Sequence, residues 1–286
     1  MSYPHLSAKL FGRPLLLHPP VLTSFGQALA ARMAGPRSGI SGPSPISHLP
    51  SAAASASLSD RAACIYEEFA DIAVIRISGV IDKAVSQFDM DCYGGCDLRD
   101  IDEALACAKA DPGIARIVLH LDTPGGSVVG TPETAARIAD LALEKEVHAY
   151  CDTQCCSAGM WLAAGADVIA CTPSAIVGSI GVYLCCIDES AALENEGVKV
   201  NVINAGQFKT MGASFRAMTP DERQMLQTNV DRIHADFKAA ITANREVPDS
   251  AMEGQWYPAS EAIEYGVVDE LTPLSLDEYV SALLTN

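Results

Sequence analysis

Ser157 lies between a cysteine pair and a small, apolar run in the stretch TQCCSAGMWLAAGADVI, Thr153 to Ile169. If a helix begins here and runs to Ala164, a serine hydroxyl at its head can satisfy the free N–H groups of the first turn as an N-cap. The same position suits a nucleophile, because the Ala158 amide can face a developing oxyanion and the positive end of a helix dipole favours negative charge. Position alone leaves both readings open. A hydroxyl is a weak nucleophile until a base removes its proton, so the chain must also supply that base.

Candidate bases are few. His5, His18 and His48 fall in the N-terminal region and His234 in a helical run, while His120 and His148 fall near strand ends close to the candidate loops, with no motif around either. Lys209 lies between Phe208 and Met211 in NAGQFKTMGASF, Asn204 to Phe215, directly after a strand-like run. A lysine in water is protonated at neutral pH, whereas one buried among apolar groups can lose its charge and accept a proton. Loop lysines are ordinarily solvated, so this candidate also needs context. A third loop, DTPGGSVVG from Asp122 to Gly130, pairs Gly125 with Gly126. Paired glycines let a backbone approach a ligand closely and turn amides outward, as an oxyanion or phosphate site requires. The spacing matches neither a dinucleotide-binding nor a Walker glycine loop, and a tight turn before a helix remains the plain alternative.

The elements that must position these loops alternate. IAVIRISGVI (Ile72–Ile81) is a β-branched run typical of a buried strand. LRDIDEALACAKA follows as a helix with Ile101, Leu105 and Ala108 on one face, then a strand over Ala115–Leu121. Thr131-Pro132 opens the next helix, with Thr131 as capping residue and Pro132 at the first helical position. Short strands are expected at Val147–Tyr150, Asp167–Cys171 and Val198–Ile203, with ESAALENEG as a helix ending at Gly197. Thr219-Pro220-Asp221-Glu222 is a capping box that starts a long helix reaching about Asn244. Such alternation predicts an α/β domain with parallel strands and right-handed crossovers.

With 286 residues, 49% hydrophobic and 19% charged, the chain can bury a substantial core. A net charge of −17 argues against nucleic acid or an anionic membrane surface as a general partner. The ten cysteines include the adjacent doublets Cys155-Cys156 and Cys185-Cys186, which suit bridges poorly and point to reduced thiols. Cys92 and Cys96 lack a histidine pair at ligand spacing, so no metal site is expected. Leu15-Leu16-Leu17 is too short, and too interrupted by Pro14, Pro19 and Pro20, to be a signal peptide or a membrane span. The expected organisation is an arm over 1–34, a Gly/Pro/Ser/Ala-rich linker over 35–60, a catalytic domain over 61–272 and a C-terminal tail over 273–286.

Taken in order, DTPGGSV, CCSAGMWLAAGADVIACTPSAIVGSIGVY and NAGQFKTMGASF resemble the signal peptide peptidase A family of Ser–Lys peptidases, and ANREV with YPASEAIEYGVVDEL resembles that family's closing segment. The resemblance covers about Ile72 to Leu271 and implies the Clp protease/crotonase fold of repeated β-β-α units. Within the family, the arm and the missing membrane anchor look most like the phage head maturation proteases of the lambda protein C type. Carried onto this sequence, the resemblance implies Ser157 as nucleophile and Lys209 as general base. It implies the amides of Gly125, Gly126 and Ala158 as the oxyanion hole, and Ser179 as the serine that orients the lysine. Ala158 stands where many relatives carry glycine, but a backbone donor does not depend on that side chain. The segment DKAVSQFDMDCYGGCDLRD is expected as a variable loop over the substrate.

The resemblance further implies a polypeptide substrate such as a capsid scaffold or the chain's own arm, a homo-oligomer, no cofactor, and a cytoplasmic or prohead location in a bacterial host. A signal peptide peptidase-like enzyme degrading peptide remnants is the alternative within the family. Outside it stand a crotonase-like acyl-CoA enzyme, which would use the same amides on a thioester, and a capsid assembly factor without turnover.

Overall fold

The computed structural model describes residues 14–17, 58–86, 90 and 95–285. They divide into two compact units, Leu16–Gly181 with Phe237–Asn286, and Val182–Asp236 with the chain up to Leu15. The larger unit is built on a six-stranded sheet of order β13-β10-β8-β6-β3-β2. Its members are β2 (Tyr66–Phe69), β3 (Ile72–Ser78), β6 (Arg116–Asp122), β8 (Glu146–Cys151), β10 (Val168–Cys171) and β13 (Glu270–Leu271). From β3 to β13 the neighbours run parallel, and β2 is antiparallel to β3. Ile72, Val74, Ile75, Val118 and Leu119 are fully buried, as the near-continuous β-branched runs require of strands covered on both faces.

Each of three central strands is followed by a short strand in a different sheet. After β3 come β4 (Ile81–Asp82) and β5 (Cys96–Asp97), after β6 comes β7 (Gly125–Ser127), and after β8 comes β9 (Gln154–Cys156). A helix then returns in each case. Ser59 caps the short α1 (Asp60–Ala63), and the returning helices are α2 (Leu98–Ala110), α3 (Thr131–Ala142) and α4 (Ala158–Ala163). This is the β-β-α repeat of the Clp protease/crotonase fold. β10 is likewise followed by β11 (Ile176–Gly178), which pairs parallel with β9 and antiparallel with β12 (Trp256–Pro258). β7 lies in a sheet of order β1-β7-β4-β5, where β1 is Leu15–Leu17.

Most expected elements form with small changes of boundary. The face of α2 that is buried includes Ile101, Leu105 and Ala108, and Asp97 caps it by accepting from the Arg99 amide at 3.0 Å. Thr131 is not a cap: Gly130 takes that place at φ 94°, and the Thr131 hydroxyl donates to Ser127 O at 2.7 Å. Residues 276–283, expected as tail, form the helix Leu276–Leu283, which places Leu276, Tyr279 and Val280 in one cluster with Ile72, Val74, Val118 and Tyr150. Most of the arm and linker, and residues 87–89 and 91–94 of the expected variable loop with Cys92 among them, lie outside the described residues.

In the smaller unit, α5 (Ser190–Asn195) forms and Gly197 follows at φ 72°, as expected of a C-terminal glycine. Val198–Ile203 makes no strand. Its backbone has no ladder partner among the described residues, and Val198, Val200, Val202 and Ile203 are 47%, 46%, 42% and 100% exposed. Leu15 and Tyr183 exchange backbone hydrogen bonds at 2.9 and 3.2 Å. The long helix α6 (Pro220–Thr242) begins in this unit and ends in the larger one.

Two contacts fix α4 within the larger unit. Trp161 stacks on Phe237 with ring centroids 4.6 Å apart and planes 6° from parallel. Arg245, nearly fully buried, donates to Ala164 O at 3.1 Å and to Ala166 O at 3.0 Å, and pairs with Asp269 at 2.7 Å. Asp269 in turn accepts from the Ile169 amide at 2.7 Å, tying the end of α4 to β10. Removing one partner of a buried, hydrogen-bonded ion pair strands the other, so Arg245→Ala should cost about 3 kcal/mol, the low end of the range because Asp269 keeps some water. Urea denaturation monitored by circular dichroism measures this.

Candidate active site

Parallel neighbours β6, β8 and β10 end side by side, with Cys151 paired to Cys171, and the segments after them converge. The β6 exit is held by Thr123, whose hydroxyl donates to Gly79 O at 2.6 Å and accepts from the Gly125 amide at 3.1 Å. Thr123 also exchanges backbone hydrogen bonds with β9, accepting from Cys156 N at 3.0 Å and donating to Gln154 O at 2.8 Å. This lays the Gly125-Gly126 strand beside the end of β9, where Ser157 begins.

The two glycines are there because nothing larger fits. A β-carbon on Gly126 would stand 1.8 Å from the Ile81 carbonyl oxygen. One on Gly125, which has φ 99°, would stand 2.2 Å from the Leu16 carbonyl oxygen and 2.8 Å from Ser157 Cβ. Glycine alone tolerates both that φ and that proximity. Because the Gly125 amide is engaged by Thr123, Gly126 and Ala158 are the candidate oxyanion donors on this side of Ser157.

Ser157 is 1% exposed and adopts φ 54°, ψ −112°, and its hydroxyl makes no capping hydrogen bond. Its backbone is committed instead: the amide donates to Gly178 O at 2.8 Å, and the carbonyl accepts from Trp161 N at 3.0 Å. Capping is therefore not what this serine does. A non-glycine residue at such φ/ψ costs about 1–3 kcal/mol and persists only where its surroundings impose it, as at a sharp strand-to-helix turn that aims a nucleophile. Ser179 shares the positive φ, at 54°. The register pairs Cys156 with Gly178, so the two serines follow matched residues of adjacent parallel strands, and the Ser179 amide donates to Gln255 O at 2.6 Å.

Behind Ser157 lies a group of buried thiols. Cys171 is pushed well above the ordinary range by a hydrogen bond with Cys151 and by burial, and burial raises Cys155. Burial also pushes Cys156 up to about 12. These thiols stay protonated, and a thiol is a poor nucleophile or metal ligand. Among the described residues no three His, Cys, Asp or Glu groups are placed to hold a metal ion.

The histidine candidates are engaged elsewhere. His148 shares hydrogen bonds with Tyr279 OH at 2.7 Å and Glu146 at 2.8 Å, and His120 with Asp152 at 3.1 Å and Arg76 at 3.3 Å. Lys209 belongs to the smaller unit and is exposed, with Phe208 and Met211 half-buried beside it. Its turn is closed by Lys209 N donating to Gly206 O at 3.2 Å and Met211 N to Phe208 O at 3.1 Å. The larger unit thus brings together Gly125, Gly126, Ser157, Ala158 and Ser179, and Lys209 is carried on the other.

Arg216 and Glu222 fasten the Lys209 turn, and motif reading missed their pairing. Arg216 donates to Thr210 O at 3.1 Å and Thr210 Oγ1 at 2.9 Å, and forms a two-pronged pair with Glu222. Glu222 also completes the expected capping box, accepting from Thr219 N at 2.9 Å and donating its own amide to Thr219 Oγ1 at 3.3 Å. The box was legible from spacing, but its second task depended on an arginine six residues earlier.

The S49 peptidase family model (Peptidase family S49) matches residues 139–282. Capsid assembly protease C of Escherichia phage lambda is 32% identical, over 94% of this chain and 63% of that protein. The head-tail preconnector protein GP5 of Enterobacteria phage P21 is 28% identical, over 98% of this chain and 57% of that protein. A putative protease of Methanocaldococcus jannaschii is 29% identical, over 57% and 54%. The chain therefore spans between about half and two thirds of the length of these curated relatives. Among the described residues no helix is long and apolar enough to cross a membrane.

The Arg216 guanidinium, with the Thr219 amide, holds the Glu222 carboxyl down at about 2. A carboxylate depressed in the fold contributes stability above its ordinary pKa and loses it as pH falls through the folded value. Acidification from pH 5 towards pH 2 should thus release the Thr210 segment, seen as a loss of amide-exchange protection over 206–216 relative to the intrinsic rate at each pH. Glu222→Gln should show that release already at neutral pH.

Proposed function

The chain belongs to peptidase family S49, and on that premise we propose that it is a serine endopeptidase that cleaves polypeptides through an acyl-enzyme on Ser157. Lys209 acts as general base and takes the proton from Ser157 Oγ as the hydroxyl attacks the scissile carbonyl. The amides of Gly126 and Ala158 stabilise the tetrahedral oxyanion, and Ser179 orients the lysine amine. The leaving amine departs with a proton returned by the lysine, and water then hydrolyses the acyl-enzyme by the same relay. The observation that carries the reading is Ser157 itself: a strained, buried serine at a strand-to-helix corner, its hydroxyl unused for capping, beside two glycines that admit no side chain.

Lys209 is exposed in the single chain, and substrate or a second copy is proposed to enclose it. The exposed apolar residues Val198, Val200, Val202 and Ile203, four within six positions, support a homo-oligomer, since clustered exposed aliphatic residues mark interaction surfaces. The natural substrate is proposed to be a capsid or scaffold polypeptide, in keeping with the names of the phage relatives.

Ser157→Ala and Lys209→Ala should each lower peptide cleavage by roughly 10³-fold or more, and the double variant should lose no more than either alone, because the pair acts as a unit. Full activity of Lys209→Ala would remove the proposed base. A fluorophosphonate probe should label Ser157, whereas a crotonase-like site would remain unlabelled. Light scattering should report a multimer at working concentration; a strict monomer would overturn the assembly.

A further inference from the structure

β7 carries the glycines of the proposed oxyanion site, and it has two backbone edges. One is taken by β4, with Ile81 paired to Gly126. The other is taken by β1, a three-residue strand far away in sequence. The contact is close: the Leu16 carbonyl oxygen and Ser157 Cβ both crowd the position that a side chain on Gly125 would fill, at 2.2 and 2.8 Å. Leu15 and Leu16 are 2% and 0% exposed. Pro14 precedes the run and Pro19-Pro20 follow it, and prolines lack the N–H needed to extend a ladder.

An extended peptide recognised by a sheet edge gains affinity from main-chain hydrogen bonds and specificity from pockets for alternate side chains. A polypeptide whose carbonyl is to meet Ser157 and the Gly126 amide must run along β7, and the edge away from β4 is the one open to it. We infer that Leu15–Leu17 occupies the substrate's own strand position, as a tethered competitor that holds the site closed, and that this position takes an extended segment with an aliphatic, leucine-like side chain where Leu16 is buried. This rests on Ser157 being the nucleophile. It goes further in saying that one piece of the chain must leave before a substrate can enter.

A tethered occupant lowers apparent affinity and reactivity by the fraction of time it is in place, so about 90% occupancy hides about tenfold. Leu16→Glu, which puts a charge where a fully buried side chain stood, should displace the strand in the 286-residue chain. In a Ser157→Ala background, a fluorescent peptide copying Gly12–Leu22 should bind Leu16→Glu at least about tenfold more tightly than the Leu16 parent. With Ser157 present, the same substitution should speed fluorophosphonate labelling by about as much, and added peptide should slow it again. Equal peptide binding with and without the substitution, or no binding to either folded protein, would overturn the inference. Peptide binding to the opened chain with no labelling of any variant would instead sink the nucleophile and leave the strand assignment standing. If Leu16→Glu does not fold, Leu16→Ala carries the same comparison with a smaller effect in the same direction.

Discussion

The site depends on how closely two backbones and the Ser157 side chain approach at Gly125 and Gly126. Ile81, Leu16 and Ser157 all come within distances that exclude a single β-carbon, so β7 acts as a wedge of bare backbone. Bare backbone is what an oxyanion donor needs: amides presented without a side chain to shield them, held rigid by the ladder on one edge and by Thr123 behind. A methyl group at either position would push apart strands that the rest of the domain holds together.

Strain and stability are separated along the chain. Ser157 and Ser179 both sit at positive φ at the ends of paired strands, each in a conformation that costs energy. The counterweight is assembled around α4: the Trp161–Phe237 stack and the Arg245 bonds to the carbonyls that end the helix. α4 has only six residues, all of them buried. It cannot hold its own geometry through propensity, and it is positioned almost wholly by packing.

Much of this was legible in the sequence, because buried parallel strands and one-sided helices leave periodic signatures. Ile72–Ser78, Leu98–Ala110 and the capping box at Thr219–Glu222 follow from period and punctuation alone. The paired glycines, the serine and the lysine could be nominated, but a linear pattern cannot say that Ser157 fails to cap its helix; that needs ψ. Val198–Ile203 alternates like a strand and makes none, because alternation records which side chains want burial and not whether a partner edge is available. The Leu15–Leu17 strand and the helix Leu276–Leu283 escaped for the opposite reason: each is short, and its place is set by a distant surface that local sequence does not encode.

The thiols behind Ser157 have a practical meaning. Cys155 and Cys171 are fully buried, and both they and Cys156 are held in the unreactive protonated form. An alkylating reagent that consumes them must wait for the core to open, so its rate is a clock for breathing of the domain and carries no news of catalysis. Cys64 is exposed and Cys107, Cys185 and Cys186 are half-buried, so it is the slow modification of Cys155, Cys156 and Cys171, followed residue by residue, that records the time the fold spends ajar.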